Sequence, residues 1–294
     1  MTLQKKIKSI INSIYPNFFV KSYTSTLTKT RIFSGVFRTF PDFIIIGSQK
    51  CGTTSLYDYI CKHSDVYPAI TKQIHYFDFN YEMKDRWYRA FFPLNLKKYF
   101  IKYLLRKSFL TGEASPDYIN HPYAPRRISQ DLPNTKLIAI FRNPVERAYS
   151  NYQHNIRDKK ENLSFEDALK EEENRTKTER MKLQENEFYY SENFRQFQYV
   201  NRGKYIEEIS EWLKLFSKEQ LLILSTEELE TNPSKVLEDI FSFLNIKNEQ
   251  IVTTQKLNVG KYSDMKKETR EYLQKIFRPY NEQFYKLTEK DFNW

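Results

Sequence analysis

One stretch constrains the fold more than any other: an unbroken apolar run at residues 43–46 that leads into a glycine-bounded loop and a helix start. The β-branched and aromatic run is typical of a parallel strand buried on both faces. Gly47 and Gly52 bracket a loop in which the backbone turns sharply and can approach a ligand closely. The hydroxyls of residues 53–55 then stand at a helix N-terminus, which favours anions. The stretch therefore predicts an anion-binding loop at the end of a buried strand.

The loop is close to the Walker pattern G-x-x-x-x-G-K-[ST], but its lysine lies elsewhere. Thr53 follows the second glycine, and the lysine lies inside the loop as Lys50. No other predicted strand ends in an obvious Mg²⁺-binding aspartate, so the loop suggests a phosphate donor other than ATP–Mg²⁺. A turn that binds nothing is the competing interpretation, and it is disfavoured because glycines, lysine and hydroxyls coincide at one strand end.

Composition and length set broader limits on the fold and on the partners. The chain has 294 residues, enough for one large α/β domain or two small ones. A formal net charge of +10 fits nucleic acid, an anionic membrane surface or small polyanionic ligands. No apolar run is long enough to predict a membrane span, and no signal peptide is predicted.

The two cysteines indicate a compartment. Cys51 and Cys61 lie on the predicted loop and helix, roughly 15 Å apart by helical rise, which is too far for a disulfide. A reducing environment, and hence a cytoplasmic location, is the prediction.

Predicted strands alternate with predicted helices along the whole chain, without repeats. We therefore expect one α/β domain at residues 41–294, with a central parallel sheet flanked by helices. A basic, amphipathic N-terminal arm at residues 1–40 is expected to pack on the surface or to touch a membrane weakly. Further strands are predicted at 109–113, 136–141 and 220–225. Helices are predicted at 53–63, 86–92, 125–130, 145–157, 164–182, 206–216, 234–244 and 265–277.

A second anion site is predicted after the strand at 136–141. Asn143 suits an N-cap and Pro144 suits the first helical position, so a helix starts just beyond Arg142. Ser150 lies eight residues further on, nearly on the same helical face. Arg142 and Ser150 are therefore predicted to hold one anion together.

Four stretches resemble sulfotransferases that use 3′-phosphoadenosine 5′-phosphosulfate (PAPS), of the heparan-sulfate type and the bacterial carbohydrate type. Residues 44–56 (IIIGSQKCGTTSL) resemble the 5′-phosphosulfate loop of that family. Residues 140–152 (IFRNPVERAYSNY) resemble its 3′-phosphate element, R-[DN]-P-x-x-R-x-x-S-x-[YW]. Residues 73–78 (QIHYFD) and 113–118 (EASPDY) resemble its substrate-side segments. The combination, in this order, is a specific signal.

The resemblance implies a P-loop-like sulfotransferase fold and in-line sulfuryl transfer from PAPS, with 3′-phosphoadenosine 5′-phosphate as the product. The acceptor would be a hydroxyl or amine of a saccharide or a small natural product, with no metal and no nucleic acid involved. Lys50 would meet the charge that builds on the leaving phosphate. The implied donor-binding residues are Lys50, Cys51, Gly52, Thr53, Thr54 and Ser55 at the phosphosulfate, Arg142 and Ser150 at the 3′-phosphate, and Gly260, Lys261 and Tyr262 in a late closing loop.

The acceptor needs a base, and here the chain departs from the family. The heparan-sulfate 3-O enzymes carry a glutamate where this chain has Gln73, which cannot take a proton. His75 is the first candidate, because a neutral imidazole near pH 7 suits the role, and Glu113 is the second. Ala114 stands where the family often has lysine, and both departures argue against a highly anionic polymer as acceptor. The predicted substrate contacts are Lys72, Gln73, His75 and Asp78.

Other functions remain open at this point. A nucleoside or small-molecule kinase is the alternative within the enzymes, although the displaced lysine argues against it. Gln73 suggests a homologue that binds PAPS and transfers weakly. A basic nucleic-acid-binding protein is the alternative from another class, and it would show binding that depends steeply on salt. The oligomeric state is left open.

Overall fold

A computed structural model describes residues 27–253 and 264–294. Its centre is a parallel sheet with the strand order β2-β1-β3-β4. The strands are β1 Phe43–Gly47, β2 Gly112–Ala114, β3 Lys136–Phe141 and β4 Leu221–Ser225. Helices lie between the strands in the chain, so the predicted α/β class with a central parallel sheet is confirmed.

The helices follow the predicted alternation. They are α1 Thr53–Ile60, α2 Lys84–Arg89, α3 Asn95–Tyr99, α4 Ala124–Asp131, α5 Pro144–Arg157, α6 Phe165–Glu185, α7 Glu192–Gln196, α8 Tyr205–Leu213, α9 Thr226–Thr231, α10 Pro233–Leu244 and α11 Lys267–Thr288. A five-residue π-helical segment, Phe100–Leu104, continues α3. The short helices α3, α7 and α9 have no counterpart among the predicted elements.

Two predicted boundaries are wrong. The last helix does not end at residue 277, because α11 continues through Pro279 and buries Phe284 in the core. Tertiary packing there outweighs the local cost of proline. The strand predicted at 109–113 is shorter and later, since Leu110 pairs with Val66 in an isolated bridge outside the sheet. Glu113 therefore lies within β2 and not at its end.

The core has a layer on each face of the sheet. Ile44 and Ile46 of β1 pack into a cluster with Trp212 of α8. Phe43 and Ile45 point to the opposite face, where they join a cluster with α1 and α10. The strand is therefore buried on both faces, as its sequence predicts. Because all strands are parallel, the loops that follow β1 and β3 emerge at the same edge of the sheet.

The two cysteines are free thiols, as predicted. None of the helices described by the structure is both long enough and apolar enough to span a membrane. Residues 1–26 of the predicted arm and the predicted donor contacts Gly260, Lys261 and Tyr262 lie outside the described residues.

Candidate functional site

The loop between β1 and α1 has the conformation of an anion cradle. Lys50 and Gly52 both adopt left-handed backbone angles, with φ of 68° and 84°. Gly52 is the residue before the first turn of α1, where the backbone N–H groups lack helical partners. A glycine is needed there because other residues rarely adopt this angle. Successive N–H groups in such a bend form a concave site for anions.

Lys50 and Arg142 meet at this edge of the sheet. Burial lowers the pKa of Lys50 to about 8, and repulsion from Arg157 and Arg142 adds to the effect. Within residues 27–253 and 264–294, the side chains of Lys50 and Arg142 form no salt bridge. Cations from two separate strand ends therefore stand close together. The charge of Asp158 partly offsets their repulsion, but neither cation has a salt-bridge partner among the described residues, so an anionic ligand would stabilise the arrangement.

Helix α5 extends this positive edge. Asn143 caps the helix by accepting a hydrogen bond from the Val145 N–H, and Pro144 occupies the first position, as predicted. Ser150 is half-buried on this helix. His154 and Arg157 follow Ser150 at helical spacing, and burial together with repulsion from Lys50 lowers the pKa of His154. Neither residue was predicted to belong to the site, although their i+4 and i+7 spacing from Ser150 was a usable signal.

Lys72 links the segment that carries His75 to the loop at residues 47–55. Its Nζ donates a hydrogen bond of 2.5 Å to the Thr54 hydroxyl. Burial lowers the pKa of Lys72 to about 7. Lys72 is thus part of the loop's surroundings and not a solvated surface charge.

His75 and Asp78 form a close pair. The Nδ1 atom of His75 lies 2.7 Å from Oδ2 of Asp78, whose side chain has no exposed surface. Asp78 also accepts the N–H of Phe79 through Oδ1, which fixes the carboxylate. Burial alone lowers the pKa of His75, but the charge and hydrogen bond of Asp78 reverse this, so the pKa is raised. With Nδ1 donating to Asp78, Nε2 is the acceptor nitrogen.

A network of arginines connects His75 to the loop at residues 47–55. Nη2 of Arg195 lies 3.4 Å from Nε2 of His75. Nε of Arg195 donates a hydrogen bond of 3.0 Å to Oδ2 of Asp117. Arg202 donates to the other oxygen of Asp117 at 2.7 Å and to Oε1 of Gln49 at 2.9 Å. Burial by itself raises the pKa of Asp117, but Arg202, His75 and Arg195 lower it to about 2. The network therefore contains a fixed anion between two cations.

The same residues include a set of possible metal ligands. Ligand atoms of His75, Asp78 and Asp117 lie within 4.8 Å of one another. Arg195 and Arg202 already supply positive charge to Asp117, and Asp78 is engaged by His75. The carboxylates are therefore neutralised by side chains of the protein itself.

Glu113 is enclosed and has no exposed surface. It accepts hydrogen bonds from the hydroxyls of Tyr88 (3.0 Å), Ser115 (2.6 Å) and Tyr118 (2.8 Å). The Ser115 hydroxyl also accepts the N–H groups of residues 74 and 75, and the Tyr118 hydroxyl accepts those of residues 76 and 77. Glu113 therefore holds the segment that carries His75 through two hydroxyl groups.

Cys51 and Gln73, two predicted site residues, lie in opposite environments. Cys51 is fully buried, with Sγ 4.0 Å from the Tyr205 hydroxyl, and burial raises its pKa to about 11. Its Sγ also lies 3.7 Å from the backbone oxygen of Gln49 in the loop. The side chain of Gln73 is exposed to solvent.

The chain is similar to known sulfotransferases. The family model described as "Sulfotransferase domain" matches residues 40–284. The chain is 28% identical to the membrane-associated sulfotransferase kil1 of Dictyostelium discoideum, over 86% of this chain and 66% of that protein. It is 29% identical to heparan sulfate glucosamine 3-O-sulfotransferase 6 of Homo sapiens, over 87% of this chain and 74% of that protein. In the bifunctional heparan sulfate N-deacetylase/N-sulfotransferase 1 of Xenopus laevis, the match covers only 30% of the protein.

A solved structure is also similar. The crystal structure of a sulfotransferase from Alicyclobacillus acidocaldarius superposes with a TM-score of 0.68 at 28% identity, covering 86% of this chain and 97% of that one. The likeness covers most of this chain and supports the P-loop-like sulfotransferase fold. On the match to the family model, the fold and the loop geometry together, this chain belongs to the sulfotransferase family.

Proposed function

We propose that the protein transfers the sulfuryl group of PAPS to a hydroxyl, or an amine, of a saccharide or small natural-product acceptor. The observation that carries the proposal is the meeting of Lys50 and Arg142, without salt-bridge partners among the described residues, beside the loop at residues 47–55. PAPS has anionic groups at both its 5′ and 3′ ends. Backbone donors with one cation at each group match that charge distribution.

Each part of the donor has a proposed place. The loop amides, Lys50 and the hydroxyls of residues 53–55 bind the phosphosulfate, and Arg142 and Ser150 bind the 3′-phosphate. His154 and Arg157 extend the positive field along α5. When bound, PAPS supplies an activated sulfuryl group with a phosphate leaving group. We keep Gly260, Lys261 and Tyr262 as proposed contacts in a closing loop.

His75 is the proposed general base. Its Nε2 accepts the proton of the acceptor hydroxyl as the new O–S bond forms and the S–O bond of the donor breaks. Asp78 holds the imidazole by Nδ1 and stabilises the imidazolium that results. The charge of Asp78 raises the pKa of His75, which makes the neutral imidazole a stronger base. Lys50 and Lys72 stabilise the negative charge on the leaving phosphate.

Glu113 is proposed to position His75 and not to contact the acceptor. This role follows from its complete burial and from the two hydroxyls that tie it to residues 74–77. Gln73, at the place where related enzymes carry a glutamate, is proposed to touch the acceptor by hydrogen bonding alone.

Related proteins point to a saccharide as acceptor. The names of two relatives specify heparan sulfate as their substrate, and on that basis we propose a sugar hydroxyl as the first acceptor to test. Gln73 and Ala114 favour an acceptor with fewer negative charges than heparan sulfate. The cytoplasmic location stays a prediction, because the kil1 protein is described as membrane-associated.

Binding experiments separate the proposal from its alternatives. Calorimetry with 3′-phosphoadenosine 5′-phosphate in the presence of EDTA should give tight binding. Mg²⁺-dependent binding of ATP, without binding of 3′-phosphoadenosine 5′-phosphate, would overturn the proposal in favour of a kinase. Turnover of PAPS with a panel of neutral and sulfated oligosaccharides then tests transfer. Tight bisphosphate binding without transfer to any acceptor would support the weakly active homologue instead.

A further inference from the structure

A helical segment beside the sheet carries an exposed apolar face. It consists of α3 and the π-helical residues that follow it. Among the side chains there, Leu96, Tyr103 and Leu104 are 76%, 66% and 64% exposed. Tyr99 and Phe100 are also exposed, and the rings of Tyr99 and Tyr103 lie 4.6 Å apart. We call these five side chains the apolar face.

The opposite side of the segment is fixed to the protein. Ile101 is buried, and Nζ of Lys98 lies 2.7 Å from Oδ1 of Asp42 and packs over the ring of Phe109. The spacing of the apolar face is that of one side of an amphipathic helix. In a soluble domain this side is normally buried against a core, so its exposure calls for a partner.

The charges of the segment favour an anionic partner. Residues 94–108 contain five cationic side chains and no carboxylate. Apolar and aromatic residues flanked by lysine and arginine are typical of helices that lie in a membrane interface. The cations are Lys97, Lys98, Lys102, Arg106 and Lys107.

A neighbouring segment adds to the exposed apolar surface. Arg38 pairs with Leu94 in an antiparallel bridge, and the Thr39 N–H donates to the carbonyl of Pro93. Just before this bridge, Phe33 and Phe37 are 84% and 67% exposed. Apolar side chains therefore project from both chain segments that meet at the bridge.

We propose that the apolar face is a docking surface for an anionic lipid bilayer. The apolar side chains enter the interfacial region, and the flanking lysines and arginines contact the headgroups. A second copy of the chain fits this surface less well. In a two-fold dimer the surface would face itself and bring the two sets of cations together.

Docking in this way leaves the candidate site accessible. Asp42, which anchors the segment, directly precedes β1. The loop at residues 47–55 follows the opposite end of the same strand. The docking surface is therefore attached at the amino end of the sheet, and the loop at residues 47–55 lies at the carboxyl end of the sheet.

Vesicle co-sedimentation of the full chain tests the proposal. Binding to phosphatidylcholine vesicles that contain phosphatidylserine is expected, with at least about tenfold weaker binding to pure phosphatidylcholine vesicles. The combined change Leu96→Ser, Tyr103→Ser and Leu104→Ser should reduce binding by about tenfold or more. Lys102→Gln with Arg106→Gln and Lys107→Gln should weaken it about tenfold and reduce its dependence on salt.

A matched control distinguishes binding through this surface from non-specific hydrophobic binding to vesicles. Met181, Leu215 and Tyr272 are similarly exposed on other elements, so their combined change to serine should leave vesicle binding intact. Unchanged thermal unfolding of each variant shows that folding is preserved. The proposal is overturned if the full chain ignores anionic vesicles or if the control loses binding equally. It is also overturned if sedimentation velocity shows a dimer that the Leu96, Tyr103 and Leu104 changes dissociate.

Discussion

At the scale of single residues, Lys50 is the side chain whose chemistry is easiest to isolate. If it stabilises charge on the leaving phosphate, its interaction strengthens in the transition state. Lys50→Ala should therefore lower kcat by about a hundredfold or more. The Kd of the product 3′-phosphoadenosine 5′-phosphate should change far less. Stopped assays with labelled PAPS and calorimetry measure the two quantities.

The control for this change is Lys62→Ala just after α1, where Lys62 pairs with Asp58. That variant should keep normal turnover. Equal losses of turnover and of product binding in Lys50→Ala would show that Lys50 binds the ground state just as strongly.

Asp78 should set the pH at which His75 works. The carboxylate raises the pKa of His75, and a base must be neutral, so activity should develop as pH rises through that raised pKa. Asp78→Asn removes the effect and should shift the acidic limb of the kcat/KM profile to lower pH. We also expect kcat to fall about 10- to 100-fold, because the ring loses its orienting partner. An unmoved limb would contradict the assignment of His75 as the base.

Arg195 should have the opposite effect to Asp78 on the pKa of His75. Its positive charge lowers the pKa of His75, so Arg195→Gln should move the acidic limb to higher pH. The exposed Arg126 serves as the control, and Arg126→Gln should leave the profile in place. A merely structural role for Arg195 predicts lower stability without any shift of the profile.

At the scale of elements, the short turn before α8 joins two helices of the site. A side-chain carbon on Gly203 would lie 2.6 Å from the ring of Phe277 in α11 and 3.0 Å from Cβ of Pro144 in α5. Gly203→Ala should therefore overpack this junction and cost about 1–3 kcal/mol of unfolding free energy. Because Pro144 follows Arg142 closely, product binding should weaken as well.

Urea unfolding measures the stability of this variant, with Glu207→Ala on the exposed side of α8 as the control. If Gly203→Ala is as stable as the control, α5 and α11 are packed less tightly than the structure shows.

The elements differ in how far the sequence predicts them. The loop after β1 was predictable because its glycines, lysine and hydroxyls are adjacent in the chain. The Arg142 helix start was predictable because Asn143 and Pro144 carry local signals. The network through Asp117 was not, because Arg195 and Arg202 lie 78 and 85 residues away from it. No local period connects such residues, and only the packing of α7 and of the short turn before α8 brings them to the site.

At the scale of the whole molecule, Glu113 is another residue whose surroundings cannot be predicted from the sequence. The sequence places it in a strand near the site, and this is correct, but a strand end suggested a free carboxylate. The fold instead surrounds it with hydroxyls from α2 and from the turn after β2. Burial raises its pKa to about 7, against the opposing effect of these three hydrogen bonds. Glu113 thus links global stability to pH.

The sign of this linkage follows from the raised pKa. The contribution of Glu113 to stability is complete below the ordinary glutamate pKa, near 4.5, and is lost as pH rises through about 7. The loss amounts to about 3 kcal/mol at most. Glu113→Gln cannot ionise, so its unfolding free energy should change less between pH 5 and pH 8 than that of the unsubstituted protein.

Denaturant unfolding at both pH values measures this difference, and Glu238→Gln on the exposed side of α10 should behave like the unsubstituted protein. An amide among the three hydroxyls lowers the unfolding free energy by the same amount at both pH values. The comparison of pH dependences therefore cancels this cost. Identical pH dependence in Glu113→Gln would mean that the carboxylate stays ionised in the fold. Its three hydroxyl donors would then outweigh burial, and Glu113 would be an additional fixed anion close to His75.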